Sequence, residues 1–369
     1  MNMKKTSLPI KYWNDVNTRI ISPEDDNGRK IEIGYFFGVQ FTGHSIHYPQ
    51  PLIYSHYNNN LILPTKEMFM SLGRGTVYED KMEYDANIEN TELIQDGFVY
   101  YFVYNTANYF HFIYDTLPYL YGYFNEKKYF PNLKLLVSPP EGKNDLYPFV
   151  WDTFELLGIT RDDVIFLDTK TRYNTVLVGS SLTHDGLSDA PPHKGIFNII
   201  NRMKGNHNNA DKIYVSRRSW IHNNKDNLGT DYTERRRCLN EDDIVNFLQK
   251  RGFKEIFCEN LSMKDKIGIF NSAKIIVAPS GGGMANIIFS RPETKVISID
   301  SPTFFDVNRR LKYAMCHTKL HHFTDTEFVG RIEKSIESKG SLSISGGLNS
   351  PWKVNLNNFK NFVDAIDDL

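Results

Sequence analysis

Residues 274–289 read KIIVAPSGGGMANIIF. An apolar run from Ile275 to Ala278 ends at Pro279-Ser280, three glycines follow, and a helix is expected to begin at once with MANIIFS. Uninterrupted apolar runs of this length are strands covered on both faces, the habit of parallel sheets. The same pattern repeats outward from this stretch. Upstream lie strand KIYVSRR (212–218), a long charged loop, helix EDDIVNFLQKRG (241–252), strand EIFCEN (255–260) and helix SMKDKIGIFNSA (262–273). Downstream lies strand KVISID (295–300). Buried strands alternating with amphipathic helices predict a doubly wound, Rossmann-like α/β sheet.

The first half is less regular. Residues 1–100 mix short β-like runs (IEIGYFFGVQF, PLIYSHY, NNLILP) with turn clusters and read as irregular strands with loops. An aromatic strand at Phe98–Tyr104 leads into Asn105-Thr106-Ala107-Asn108. The helix that starts near Asn108 would carry Phe110, Tyr114, Leu117 and Tyr121 on one stripe. A strand at Leu133–Val137, a helix at Asp145–Leu157 closed by Gly158, and strands near Val164–Leu167 and Val176–Val178 continue in βαβ fashion. The segment PPHKGIFNIINRMKGNHNNADK (191–212) reads as a connector. Two Rossmann-like α/β halves facing a cleft are therefore expected. The limits are 1–205 for an N-terminal domain, 206–330 for a C-terminal domain, and 331–369 for a polar tail ending in an amphipathic helix.

Chemistry concentrates in three places. Exposed amides at Gly281, Gly282 and Gly283, where a helix begins, favour an anion such as a diphosphate; the alternative is a tight turn that needs positive φ. The stretch is neither G-x-G-x-x-G nor a Walker A loop, which disfavours a P-loop kinase or ATPase. Arg217 and Arg218 end a strand on the same sheet edge, and Arg235-Arg236-Arg237 precede the next helix. Guanidinium forks suit diphosphate oxygens. Alone, the Arg235–Arg237 run reads better as a solvated basic loop; its coincidence with the glycine turn shifts the balance toward phosphate. Third, NYFHFIYDTLP places His111 and Asp115 four apart on one helix face, as a general base with an orienting partner or as two groups satisfied by nearby backbone. The other histidines, His44, His47 and those of HTKLHHF (317–323), read as surface or loop residues, and no Asp-x-Asp follows a strand, so no metal site is indicated.

Composition bounds the rest. A chain of 369 residues fits two domains at roughly 150 residues each. Lys+Arg 43 against Asp+Glu 44 gives a net charge of −1, which argues against bulk nucleic-acid or anionic-membrane binding. The 14% aromatic content suits a carbohydrate handler or, better, a well-packed core. Three scattered cysteines form neither a disulfide framework nor a zinc motif. The basic N-terminus lacks the apolar segment of a secretory signal, and the most apolar stretch, 98–124, is interrupted by Asn105, Asn108, His111, Asp115 and Pro118. A cytoplasmic protein is expected, with peripheral contact to the inner membrane through an aromatic face left open.

In combination, the blocks NYFHFIYDTLPYL, KIYVSRR, RCLNE, GFKEIFCENLSMKDKIGIFNSAKIIVAPSGGGMANIIF and KVISID resemble family 61 of the glycosyltransferases, which includes bacterial capsular polysaccharide transferases. The resemblance covers about 110–125 and 212–300. It implies a GT-B architecture, a nucleotide-sugar donor (UDP-linked), a glycan or glycolipid acceptor, inversion at the anomeric carbon, and no cofactor or obligatory metal. It makes Asp115 the candidate base, with His111 orienting it. The donor set becomes Arg217, Arg218, Arg237, Ser280, Gly281, Gly282, Gly283 and Asn286, with Glu259 and Leu261 toward base or ribose. One departure stands out: Ser280 occupies the place of the family's usual histidine, and Ala278 that of its first glycine. Loss of that histidine implies a different donor, a weaker site or an inactive relative. The rivals are thus a pyruvyl- or other group-transferase on the same scaffold and an inactive nucleotide-sugar-binding subunit.

Overall fold

The computed structural model describes residues 6–13, 18–22, 28–42, 51–64, 83–86, 88, 91–103, 105–140, 142–183, 191–206, 210–218, 237–302, 309–329 and 350–367. Two units form, and each draws on separate stretches of chain. The first takes Met1–Ala107, His111–Leu146 and Leu157–Ile199; the second takes Asn108–Phe110, Tyr147–Leu156 and Ile200–Leu369.

The first unit is built on a ten-stranded mixed sheet. Its strands are β1 (Thr6–Tyr12), β2 (Thr18–Ser22), β3 (Ile31–Phe41), β4 (Ile53–Ser55), β5 (Asn60–Leu63), β6 (Glu83–Ala86), β7 (Leu93–Phe102), β8 (Lys134–Val137), β9 (Val164–Phe166) and β10 (Thr171–Gly179). The order is β6-β1-β5-β4-β3-β10-β7-β8-β9, with β2 on β3. From β10 to β9 every pairing is parallel, the arrangement of an α/β half. Beyond it, β3 pairs antiparallel with β10, Val176 against Phe36, and draws β2 and β4 with it. The short runs of residues 31–63 are thus an extension of the same sheet rather than loose strands. Their apolar residues supply the driving force: Ile31, Ile33, Val39, Phe41, Ile53, Leu61 and Leu63 are all buried.

A helical segment follows β7. It winds widely over His111–Thr116, tightens over Leu117–Tyr119, and becomes α-helical at Leu120–Lys127. Pro118 lacks the N–H that a regular turn would need here, which accounts for the change of pitch. The turn is anchored at its base, where Thr116 Oγ1 bonds both the N–H and the carbonyl of Asn105, each at 2.9 Å. Phe110, Tyr114 and Leu117 of the expected stripe are buried, but so are Phe112, Ile113 and Thr116, so most of the segment is enclosed while His111 stays partly exposed. Gly122 lets it lie on β7, because a Cβ there would stand 2.4 Å from Tyr100 Oη. The aromatic wealth of residues 98–124 mostly builds this core: Tyr100, Tyr101, Phe102, Phe112, Tyr114, Tyr119 and Tyr123 are buried.

The second unit holds a fully parallel sheet of β11 (Lys212–Val215), β12 (Lys254–Ile256), β13 (Ile275–Pro279), β14 (Lys295–Ile299) and β15 (Lys319–Phe323), in the order β12-β11-β13-β14-β15. Helix Glu241–Gln249 carries the chain from β11 to β12 on one side, and helix Met263–Ser272 returns it to β13 on the other. The sheet therefore reverses its direction of growth at β11, which opens a crevice between the carboxyl ends of β11 and β13. The C-terminal helix Leu356–Asp367 packs Phe359, Val363 and Ile366 into the same core as Tyr214, Phe247 and Val277. Arg251 fixes that helix by pairing both Asp364 oxygens, at 2.5 and 2.7 Å. Among the described residues no helix is long and apolar enough to cross a membrane.

Candidate active site

The crevice of the second unit is where ligands bind in open parallel sheets. Strand β11 delivers Ser216 and Arg217 to it, and β13 delivers Ser280 and Gly281. Arg217 Nη1 donates to the Ser280 carbonyl at 2.9 Å, tying the two strand ends together. Gly281 and Gly283 serve space rather than conformation. Gly281 is extended, at φ 171°, and neither Gly282 nor Gly283 is among the positive-φ glycines, so the turn has no left-handed residue. A Cβ at position 281 would instead meet Arg217 Nη1 at 2.3 Å, and one at 283 would meet Val215 Cγ1 at 3.1 Å. The helix after the turn, Gly282–Phe289, winds as a tight 3-10 helix rather than an α-helix.

The last residue of RCLNE, given no role above, holds the backbone of Arg217. Glu241, buried at the start of its helix, accepts from Arg217 N–H (2.8 Å), Tyr214 Oη (2.9 Å) and Ser216 Oγ (3.2 Å), all through Oε1. Burial holds its carboxyl above the ordinary range, against the pull of those donors. Glu241→Ala strands three buried donors and is expected to cost about 1–3 kcal/mol of stability in a denaturant titration. A variant as stable as the wild type would remove Glu241 from this role.

The remaining arginines differ. Arg218 is held by Glu255, at 3.0 and 2.7 Å, and by Asp242 at 2.5 Å, so its charge is already balanced by two carboxylates. Arg237 accepts from Trp352 N–H at its carbonyl, 2.9 Å, and stands next to Cys238, a buried thiol within the field of Glu241 and Arg217. Arg235 and Arg236 lie outside the described residues, as do His44 and His47. After β12, Glu259 lies in the turn Cys258–Asn260 and Leu261 follows it, both half-buried and on the same sheet edge.

Ser280 is part of a hydrogen-bonded network. Its hydroxyl donates to Asp300 Oδ1 at 2.6 Å, Ser298 donates to the same oxygen at 2.5 Å, and His322 Nδ1 lies 2.8 Å from Asp300 Oδ2. His322 thus belongs to strand β15 and to this buried network, not to a surface loop. Nothing in the spacing of HTKLHHF announces that contact, which depends on the pairing of β14 with β15. Asn286 is fully buried and donates to the Gly283 carbonyl at 2.9 Å, while Tyr109 Oη bonds its Oδ1. Tyr109 belongs to the second unit with Asn108 and Phe110, and its ring lies edge-on to Phe149 at 5.3 Å.

His111 and Asp115 fall in the first unit. His111 Nδ1 lies 2.6 Å from Asp115 Oδ2; the carboxylate side chain is wholly buried and the imidazole is 31% exposed. A buried carboxylate on one imidazole nitrogen fixes the ring's orientation and the site of its proton.

The family model "Glycosyltransferase 61" matches residues 109–297, more than half of the chain. The chain belongs to glycosyltransferase family 61. No curated protein matches it. The family match begins at Tyr109, the partner of Asn286, and takes in the His111–Asp115 pair, Arg217, Glu241 and the glycine turn. Membership supports glycosyltransferase activity, with a nucleotide-sugar donor and a glycan acceptor in general. Asp300, which accepts from Ser280, and His322, which lies against Asp300, are beyond the matched residues.

Proposed function

We propose that this family 61 chain is an inverting, metal-independent glycosyltransferase of GT-B type. It would move a sugar from a nucleoside-diphosphate donor, UDP-linked, to a hydroxyl of a capsular or other surface polysaccharide, or of a glycolipid, on the cytoplasmic side of the membrane. The observation that carries the reading is the Arg217–Ser280–Gly281 contact at the point where the sheet changes direction. A guanidinium and bare backbone amides in one crevice suit a diphosphate and stabilise the charge that grows on it as a leaving group. With Arg217 and amides in that role, no metal need bridge the phosphates. Arg237 adds charge nearby, and Glu259 and Leu261 meet base or ribose.

Inversion needs one base on the face opposite the leaving diphosphate. We assign it to His111 rather than to Asp115, reversing the roles expected from sequence. Asp115 is wholly buried, whereas the imidazole it holds reaches solvent. In this assignment the acceptor hydroxyl gives its proton to His111, its oxygen bonds to the anomeric carbon, and the diphosphate leaves with the bond electrons.

The test is transfer from UDP-, GDP-, CMP- and TDP-sugars to glycan acceptors in EDTA, with product anomers read by NMR. Turnover in chelator with inverted configuration is expected. Retention, or activity restored only by Mn²⁺ or Mg²⁺, contradicts the respective part. Transfer from phosphoenolpyruvate instead would favour a pyruvyltransferase, and binding without turnover an inactive subunit.

A further inference from the structure

Lys266 occupies a position that helical periodicity reserves for an apolar residue. On helix Met263–Ser272 the inward stripe is Met263, Lys266, Ile267 and Phe270, and Lys266 is only 6% exposed. An ammonium carries three donors and needs strong acceptors or a counter-ion when buried. Here Nζ points at the Met263 thioether, a weak acceptor, at 3.9 Å and lies 4.4 Å from the Tyr109 ring centroid. The neighbouring Cys258 thiol is no counter-ion, because burial pushes it up to about 12. Glu259 and Asp152 act on Lys266 through their fields, and desolvation still lowers its pKa below the usual lysine value. A charge kept at such a cost on a core face is characteristic of a functional group awaiting its partner.

The surroundings say what the partner is. The Tyr109 ring beneath Nζ bonds Asn286 through its hydroxyl, and Asn286 holds the Gly283 carbonyl at 2.9 Å. A Cβ on Gly283 would stand 3.9 Å from Cys258 Sγ. Lys266 is thereby linked, through one layer of side chains, to the turn at the mouth of the β11–β13 crevice. We infer that Lys266 is a donor-binding residue whose ammonium takes an oxyanion of the nucleoside diphosphate. This deepens the function proposed above and rests on it. The soft, polarisable walls of Met263, Cys258 and Tyr109 leave the charge available to an incoming phosphate instead of spending it on a resident carboxylate. In a site of low dielectric such a charge acts more strongly than it would in water.

The experiment compares wild type with Lys266→Met, which keeps length and removes charge, by thermal shift and calorimetric titration with UDP, GDP, CDP and dTDP and with the matching nucleosides. Lys266→Met is expected to keep or raise the melting temperature of the unliganded protein, since it replaces a buried charge with an apolar side chain. It is expected to bind the preferred diphosphate about 10- to 100-fold more weakly, with nucleoside affinity unchanged. Lys266→Arg, which keeps the charge, is expected to retain most of the diphosphate response. If the methionine variant does not fold, Lys266→Gln is read in the same way. Equal diphosphate affinity in wild type and variant overturns the inference and leaves the glycosyltransferase reading standing. A wild type that responds to none of the four diphosphates overturns both.

Discussion

His111→Ala lowers kcat by about 10²- to 10⁴-fold while donor affinity stays near that of the wild type. The expectation follows from who faces solvent. Asp115 has no exposed side-chain surface, and the imidazole 2.6 Å away is the group that an acceptor hydroxyl can reach. Asp115→Asn keeps the shape but turns an acceptor that fixes the imidazole proton into an amide that can present a donor instead. It too is expected to reduce kcat strongly, through a misplaced proton rather than a missing base. Added imidazole separates the two roles: it restores part of the activity of His111→Ala and none of that of Asp115→Asn. Should His111→Ala turn over normally while Asp115→Asn is dead, the carboxylate is the base. Should both remain active, the wide helical turn is packing alone.

Gly281→Ala is expected to fold normally and to lose donor affinity by about 10- to 100-fold, the range for hydrogen bonds to a charged group. The added methyl would overlap Arg217 Nη1 at 2.3 Å. That atom is the far end of a flexible side chain, so the guanidinium swings away and the fold survives. What is lost is the bond from Arg217 to the Ser280 carbonyl and the arginine's place at the crevice. Arg217→Ala should therefore cost about as much, and the double variant no more than either single one, the signature of two changes that remove one interaction. Additive losses, measured by calorimetry with the preferred nucleoside diphosphate, would mean that glycine and arginine act separately.

Most of the second sheet is legible in the sequence because β11, β13 and β14 are nearly continuous apolar runs and the connections around β12 carry helical stripes, whereas β15, KLHHF, has no such pattern. Ser262, for example, caps helix Met263–Ser272 by accepting from Asp265 N–H at 3.1 Å, as its place before an apolar stripe suggests. The glycine turn is legible as a strand-to-helix junction, but the steric demand that Arg217 on the neighbouring strand places on Gly281 has no local signature. The first sheet was harder to read. Strand β3 finds β10 from a position more than a hundred residues away, and no turn chemistry between them records that pairing. The same holds for the site's supporting groups. Glu241 reaches Arg217, Asp300 reaches Ser280 and His322 reaches Asp300 only after the strands are laid side by side, so residue spacing could not single them out. His111 and Asp115 are legible as a pair because they are four residues apart on one helical segment; their relative burial, on which the proposed roles rest, comes from the packing of that segment in its unit.

The central claim is that the donor diphosphate sits at the β11–β13 crevice. Deuterium exchange of the full chain, with and without whichever of UDP, GDP, CDP or dTDP raises the melting temperature most, tests it directly. The account predicts slowed exchange in peptides covering residues 215–218 and 280–289. Protection confined to peptides of the first sheet, such as 31–41 or 93–102, with residues 280–289 unchanged, would contradict it.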